Sequence, residues 1–168
     1  SQLGYNYRMS NIVAGIGRGQ MKVLDEHVAL RREIHQFYFE NLGQSWLTGN
    51  SRHELEGQES PTGLYFLKEP EGYYSNRWLS TVIVNPEETD GITREDIRLA
   101  LEEENIECRP LWKPMHMQPL YEGYPYYGNG VCEMLFDYGL CLPSGSNMTK
   151  GDLEKVLYFV KKALGIKG

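Results

Sequence analysis

The run Asn76 to Val84, NRWLSTVIV, constrains the fold more than any other stretch of the chain. It ends in β-branched apolar residues and is closed by Asn85-Pro86, a turn signal. A short apolar run bounded in this way reads as a buried strand, and a buried strand needs a sheet around it and a layer to cover it.

The flanking sequence supplies that layer. Ser10 can cap a helix, its hydroxyl accepting from a free backbone N–H. Behind it Val13, Ile16, Val23, Leu24, Val28, Ile34, Phe37 and Tyr38 recur at roughly the spacing of one helical face. Lys22, Asp25, Glu26, Arg31, Arg32 and Glu33 occupy the rest of the surface. The spacing predicts one long helix from Asn11 to about Leu42, stopped at Gly43. A helix of that length suits a bridge between domains. Thr48 to Pro61 is polar and turn-rich and predicts a loop or a short helix. Thr93 with Asp96 is a capping pattern ahead of Ile97, Leu99, Ala100 and Leu101, so a helix is expected to about Glu104. Ile106 to Leu111 predicts a second strand, and Pro110, Pro114 and Pro119 force the loop that follows, since proline removes a ladder donor. Val131 to Phe136 predicts a short helix and Leu140 to Leu142 a short strand closed by Pro143. Thr149 with Asp152 opens a last helix, with Leu153, Val156, Leu157, Val160 and Leu164 on one face. Helix and strand alternate to the end, the pattern of a two-layer α/β domain with few strands, one sheet covered on one side. A length of 168 residues suits one domain with a sizeable core.

Charge narrows the partners. A net charge of -6 disfavours nucleic acid and anionic membrane, because counterion-driven binding needs clustered Lys and Arg. An anionic small molecule held by one or two arginines remains compatible. No apolar run approaches the roughly 20 residues that span a bilayer, and no signal peptide is visible. The three cysteines, Cys108, Cys132 and Cys141, form no C-x-x-C pair, as expected of a reduced cytoplasmic chain. His27, His35, His53 and His116 show no ligand spacing with one another or with the cysteines, so no metal site is expected.

Several motifs carry chemistry. Gly15-Ile16-Gly17-Arg18-Gly19 has the wrong glycine spacing for a dinucleotide loop and lies in a helical pattern. Its glycines suit close helix packing, although each costs about 1 kcal/mol against alanine. Gly4-Tyr5-Asn6-Tyr7-Arg8-Met9-Ser10 places an amide and a guanidinium just before a helix, where both can hold an anion. The plainer alternative is that Asn6 stabilises a turn and Arg8 pairs with an acid. Arg109-Pro110-Leu111-Trp112-Lys113-Pro114-Met115-His116 is a proline-framed loop in which Trp112 offers a stacking face and Arg109 a phosphate fork. Core packing is an equal reading for Trp112. Gly72 to Trp78, aromatic and polar, reads as the approach to a strand rather than a site. The Gly4–Ser10 and Arg109–His116 runs together suggest a chain cut from a larger enzyme, with most of its site upstream of Ser1.

The blocks GYNYRMSNIVAGIGRGQM (with LDEHVALRREI behind it), IECRPLWKPMHMQPLY and GLCLPSGSNMTKGDLEKV also follow a known order. The chain resembles the DegT/DnrJ/EryC1/StrS family, pyridoxal-phosphate (PLP) sugar aminotransferases of fold type I, over essentially its whole length. The RPLWKPMH form looks most like the branch acting on UDP-linked amino sugars in pilin and surface-glycan pathways. The resemblance implies an α/β small domain at the C-terminus of a fold type I enzyme, with a small, mostly antiparallel sheet, helices packed on one side and a long helix before it. Residues 1–47 would form the interdomain motif and long helix, and residues 48–168 the small domain.

The family's lysine, in an S-x-x-K segment before a G-E-G-G turn, has no match here. The aspartate and the aromatic that hold the cofactor ring likewise belong upstream. The resemblance therefore implies that the chain alone contains no catalytic residue, holds no PLP by itself and does not transaminate. Asn6 matches an asparagine that reaches across a dimer interface to the PLP phosphate. Arg8 matches an arginine near the partner's substrate, and His116 a histidine of the substrate loop. Arg109 and Trp112 are carried over to nucleotide or sugar contact by their block. Gly15 and Gly19 depart from the family, which more often has alanine or another residue there. The implied parent is a cytoplasmic homodimer that takes an amino group from glutamate or another donor to a nucleotide-linked keto sugar, with the cofactor as electron sink. Two alternatives share these residues. One is a sugar 3-dehydratase of the same family, which keeps pyridoxamine phosphate and has histidine for lysine. The other is a stand-alone, non-catalytic module that binds a nucleotide sugar.

Overall fold

A five-stranded sheet organises the computed structural model, which describes residues 5, 7–43, 46–48, 52–56 and 58–166. The strands are β1 (Trp46–Leu47), β2 (Leu64–Leu67), β3 (Ser80–Val84), β4 (Arg109–Pro110) and β5 (Gly139–Leu142), in spatial order β1-β2-β3-β5-β4. β1 runs parallel to β2, and the other pairs are antiparallel. The strand most legible in the sequence, β3, is central, paired on one side through Phe66 with Val82 and on the other through Val82 with Leu140. Among the described residues five α-helices accompany the sheet: α1 (Asn11–Met21), α2 (Leu24–Tyr38), α3 (Arg94–Glu102), α4 (Val131–Tyr138) and α5 (Lys150–Ala163).

Strand side chains alternate between the two faces. Leu64 and Phe66 of β2, Val82 and Val84 of β3, and Leu140 and Leu142 of β5 join the main core. There they meet Ile34, Tyr38 and Leu42 from the first helical stretch, Ile97 and Leu101 of α3, and Val156 and Val160 of α5. Each fully buried side chain of this size contributes about 1.5–3 kcal/mol relative to exposure. The helical layer expected on one side is thus α2, α3 and α5. The other face carries a smaller cluster of Leu47, Tyr65, Ile83 and Met134, with Leu111 and Leu135 against it, so α4 covers part of that side.

The local signals that depend on neighbouring residues appear as expected. Ser10 caps α1, with the Val13 N–H donating to its hydroxyl at 3.3 Å. Thr93 with Asp96 and Thr149 with Asp152 form reciprocal capping boxes on α3 and α5. Gly43 ends a π-helical turn, Phe39–Gly43, and its role is close approach: a Cβ there would lie 2.5 Å from the Phe66 ring.

Four expectations are corrected. The single helix from Asn11 to Leu42 is two helices, broken at Lys22–Val23, directly after Gly15, Gly17 and Gly19. Those glycines lower helix propensity and α1 buries no residue to offset the cost, whereas α2 is held by Ile34, His35 and Tyr38. The strand expected from Asn76 begins at Ser80, because Arg77 takes a left-handed conformation, φ 47°, that interrupts extended backbone. The strand expected over Ile106–Leu111 is only Arg109–Pro110, although the Leu111 N–H still donates to the Gly139 carbonyl at 3.2 Å. No element was expected between Pro61 and Asn76, where β2 forms, and β1 is too short to leave a periodic trace. Residues 48–61 contain the short 3-10 turn Arg52–Leu55, and α4 runs beyond Phe136 to Tyr138. No helix of the described residues is long and apolar enough to cross a membrane.

Candidate functional site

Edge strand β4 and the chain after it border a cleft of about 450 Å³. Its walls include Trp78, Arg109, Pro110, Trp112, Pro143 and Ser144. Three local features assemble it. Arg109 is held opposite Cys141 by the β4–β5 register. Pro143 ends β5, so the chain turns away and leaves space. The left-handed Arg77 redirects the backbone just before Trp78, whose ring centroid then lies 6.1 Å from that of Trp112 at an interplanar angle of 35°. The Trp78 carbonyl accepts from Arg31 Nη1 of α2 at 3.2 Å, which ties this wall to the helical layer.

The two indoles are not core. Trp78 is 58% exposed and Trp112 66%, which removes the core-packing reading of Trp112. Two large aromatic surfaces held close together but left uncovered suit a flat ligand. Arg109 lies at the same cleft with its Nε 2.7 Å from Glu107 Oε1. Both partners are exposed, and such a pair contributes only about 0–1 kcal/mol, so an incoming anion can replace the carboxylate. Ser144 is buried and fully engaged. Its Oγ donates to the Leu142 carbonyl at 2.8 Å and accepts from the Ser80 N–H at 2.8 Å. Burial pushes the Cys108 thiol up to about 11 and raises that of Cys141, so both stay protonated near neutrality and neither acts as a nucleophile. The cleft can therefore stack and neutralise, and the carboxylate in its wall, that of Glu107, is paired with Arg109.

His116 does not line this cleft. It sits in the 3-10 turn Met115–Met117, its ring stacked on Tyr126 at 3.7 Å between centroids. Its Nε2 is 3.0 Å from Glu133 Oε1 in the first turn of α4. Hydrogen bonding, first from the Cys132 thiol, holds the Glu133 carboxyl below the usual carboxylate range. The Tyr126 hydroxyl is pushed up to about 12, again chiefly by its contact with Cys132. The loop read from sequence as one constellation is thus split: Arg109 and Trp112 face one cleft, His116 another neighbourhood.

Arg8 is exposed just ahead of the cap residue of α1 and is not part of the cleft. Asn6 lies outside the described residues. Gly15, Gly17 and Gly19 are helical, and a Cβ on any of them would meet nothing within 4 Å, so the close packing expected of them does not occur against the described chain. Sequence reasoning missed Trp78 and Ser144 in the cleft, and Tyr126, Cys132 and Glu133 around His116. Trp78 had a signal, an aromatic and polar run ending just before a strand. The others had none, because their meeting depends on long-range packing.

The model of the DegT/DnrJ/EryC1/StrS aminotransferase family matches residues 1–161. EpsN of Bacillus subtilis, a pyridoxal phosphate-dependent aminotransferase by name, is 42% identical over 161 residues, covering 94% of this chain and 36% of EpsN. GDP-perosamine synthase of Escherichia coli O157:H7 is 30% identical over 156 residues, covering 93% of this chain and 36% of the enzyme. The chain thus spans 36% of the length of these curated relatives. Among solved structures, DesI in the presence of its TDP-sugar product superposes with a TM-score of 0.74 over 93% of this chain and 36% of DesI. The two share 22% sequence identity, so the likeness is one of fold.

Proposed function

Because the chain belongs to the DegT/DnrJ/EryC1/StrS aminotransferase family, we propose that it is the C-terminal part of a PLP-dependent enzyme that aminates a nucleotide-linked keto sugar, with glutamate as donor. The Trp78–Arg109–Trp112 cleft is the observation that carries the substrate class. The two indoles take the base by stacking, and Arg109 leaves Glu107 for the diphosphate. The GDP-perosamine synthase and DesI names support a nucleotide sugar. The likeness of Arg109–His116 to the UDP-amino-sugar branch favours UDP and a surface-glycan or pilin-glycan role.

The cleft residues do not fit PLP, since none of them is a lysine to hold its aldehyde. The cofactor belongs to a preceding large domain, and this chain alone is expected to be inactive. Residues 1–47 then form the interdomain part and residues 48–168 the small domain. In a cytoplasmic homodimer, Asn6 donates its amide to the PLP phosphate of the other subunit, and Arg8 stands near the substrate there. His116 belongs to the substrate loop.

Titration of this chain with UDP-, GDP- and TDP-sugars, followed by tryptophan fluorescence, tests the cleft. Stacking on an aromatic side chain contributes about 1–3 kcal/mol per base, so Trp112→Ala and Trp78→Ala should each weaken binding roughly tenfold or more. Arg109→Ala should weaken the nucleotide diphosphate more than the nucleoside. Unchanged affinity in all three variants rejects the cleft as the nucleotide site. In the full-length protein, L-glutamate should convert the visible absorbance of bound PLP to that of the amine form. There Asn6→Ala should reduce PLP retention more than sugar affinity, and His116→Ala should raise the sugar KM while sparing the glutamate half-reaction.

A further inference from the structure

His116, Cys132 and Glu133 offer a nitrogen, a sulfur and an oxygen whose ligand atoms all lie within 4.8 Å of one another. We infer that these three side chains form a Zn2+ site between the Met115–Met117 turn and the first turn of α4. It stands on these residues alone, whatever the Trp78–Trp112 cleft binds.

Two of the three ligand pairs are in contact, and the third lies within 4.8 Å. His116 Nε2 and Glu133 Oε1 are 3.0 Å apart, and Cys132 Sγ and Glu133 Oε2 are also 3.0 Å apart. A tetrahedral Zn2+ bound at ~2.0–2.3 Å separates neighbouring ligands by about 3.4–3.6 Å. Entry of the ion therefore asks for shifts of about an ångström or less along these contacts, within reach of rotamer adjustment. Cys132 and Glu133 are consecutive on α4, which fixes two ligands on a regular element. The third comes from a turn framed by Pro114 and Pro119.

The donor set selects the metal. One thiolate beside one imidazole suits Zn2+ and disfavours Mg2+ and Ca2+, which take oxygen. Cys132 is exposed, so the fourth position opens to water. On binding, the Cys132 thiol gives up its proton to solvent and the imidazole turns an unprotonated Nε2 to the metal, keeping one proton on Nδ1. One thiolate and one carboxylate then match the charge of the ion. Nothing is oxidised or reduced.

Tyr126 completes the surroundings. Its ring lies on His116 with an interplanar angle of 19°, which sets the imidazole plane. Its hydroxyl is 3.4 Å from Cys132 Sγ and 3.2 Å from Glu133 Oε2, where it donates rather than ligates. Such outer partners orient ligands in metal sites.

The test is calorimetric titration of the protein with ZnCl2, together with the absorbance spectrum of its Co2+ complex. One ion should bind per chain with proton release. Co2+ should show a thiolate-to-metal charge-transfer band and the strong visible absorption of a four-coordinate ion. Cys132→Ser and Glu133→Gln should each weaken Zn2+ binding roughly tenfold or more, with circular dichroism unchanged. His27→Gln should leave binding as it was. Absence of stoichiometric binding, or a Co2+ complex of the unaltered protein with no thiolate band, overturns the site without recourse to any variant. Zn2+ affinity that survives Cys132→Ser does the same.

Discussion

α5 and α1 each begin with a hydroxyl cap and each carry apolar residues at helical spacing, yet α5 buries Val156 and Val160 while α1 buries nothing. α5 lies against α3 and closes the main core. In α1, Ile12 is 77% exposed and Ile16 61%. An amphipathic stripe records that a face is made to be covered, but not what covers it. For α5 the cover is in this chain. For α1 it is not among the described residues. Eleven residues are also too few for a helix in water without tertiary support, as isolated helices shorter than about 12–15 residues are marginal.

The largest test of this contrast is Leu101→Ala, on α3 beneath α5, where the side chain is fully buried. It should cost about 2–5 kcal/mol in the urea unfolding free energy. A loss below about 1 kcal/mol would mean that the α3–α5 layer is not the stable half of the molecule.

The next effect is pH dependence on the packed side. His35 of α2 lies between Trp46 and Phe66, with neither ring nitrogen hydrogen-bonded among the described residues. Burial, then the charges of Arg77 and Arg32, lower its pKa from 6.5 to about 4. The folded state therefore keeps the ring neutral where the unfolded chain protonates it. Above pH 6.5 the group contributes no pH dependence, and as pH falls from 6.5 to about 4 the unfolded state binds the extra proton and stability is lost. The total is about 3 kcal/mol, and His35→Phe should flatten that part of the stability profile. An unchanged profile would place the acid sensitivity in the carboxylates instead.

Matched cap substitutions sharpen the comparison further. Thr149→Ala removes the capping box of α5 and should cost about 1 kcal/mol of global stability. Ser10→Ala removes the same kind of bond from α1, and should lower helical circular dichroism slightly while leaving the urea midpoint in place. A shift of the midpoint by Ser10→Ala would show that α1 folds together with the core. The smallest effect expected is that of Ile16→Ala, within about 0.5 kcal/mol, because the side chain it truncates is exposed.

Legibility followed the range of the interactions involved. The caps at Ser10, Thr93 and Thr149, the strand around Val82–Val84 and the stop at Pro143 were readable, since each is decided by residues a few positions apart. The site was legible only in its parts. Arg109 and Trp112 were singled out together in one loop and both line the cleft, but Trp78 joins them only because Arg77 turns the backbone and Arg31 of α2 holds it. His116 was grouped with them by nearness in sequence, and the fold sends it to Tyr126 and Glu133 instead. The spacing of histidines and cysteines gave no hint that His116 and Cys132 would meet.

By itself, then, the sequence determined the alternation of helix and strand, the capped helix starts and the buried central strand, because hydrogen bonding within a turn and apolar periodicity are local. Tertiary structure alone decided the strand order β1-β2-β3-β5-β4, the cleft between two tryptophans and the His116–Cys132–Glu133 cluster. Each of those depends on which distant segments share one core, and pairings between distant segments leave no period in the chain.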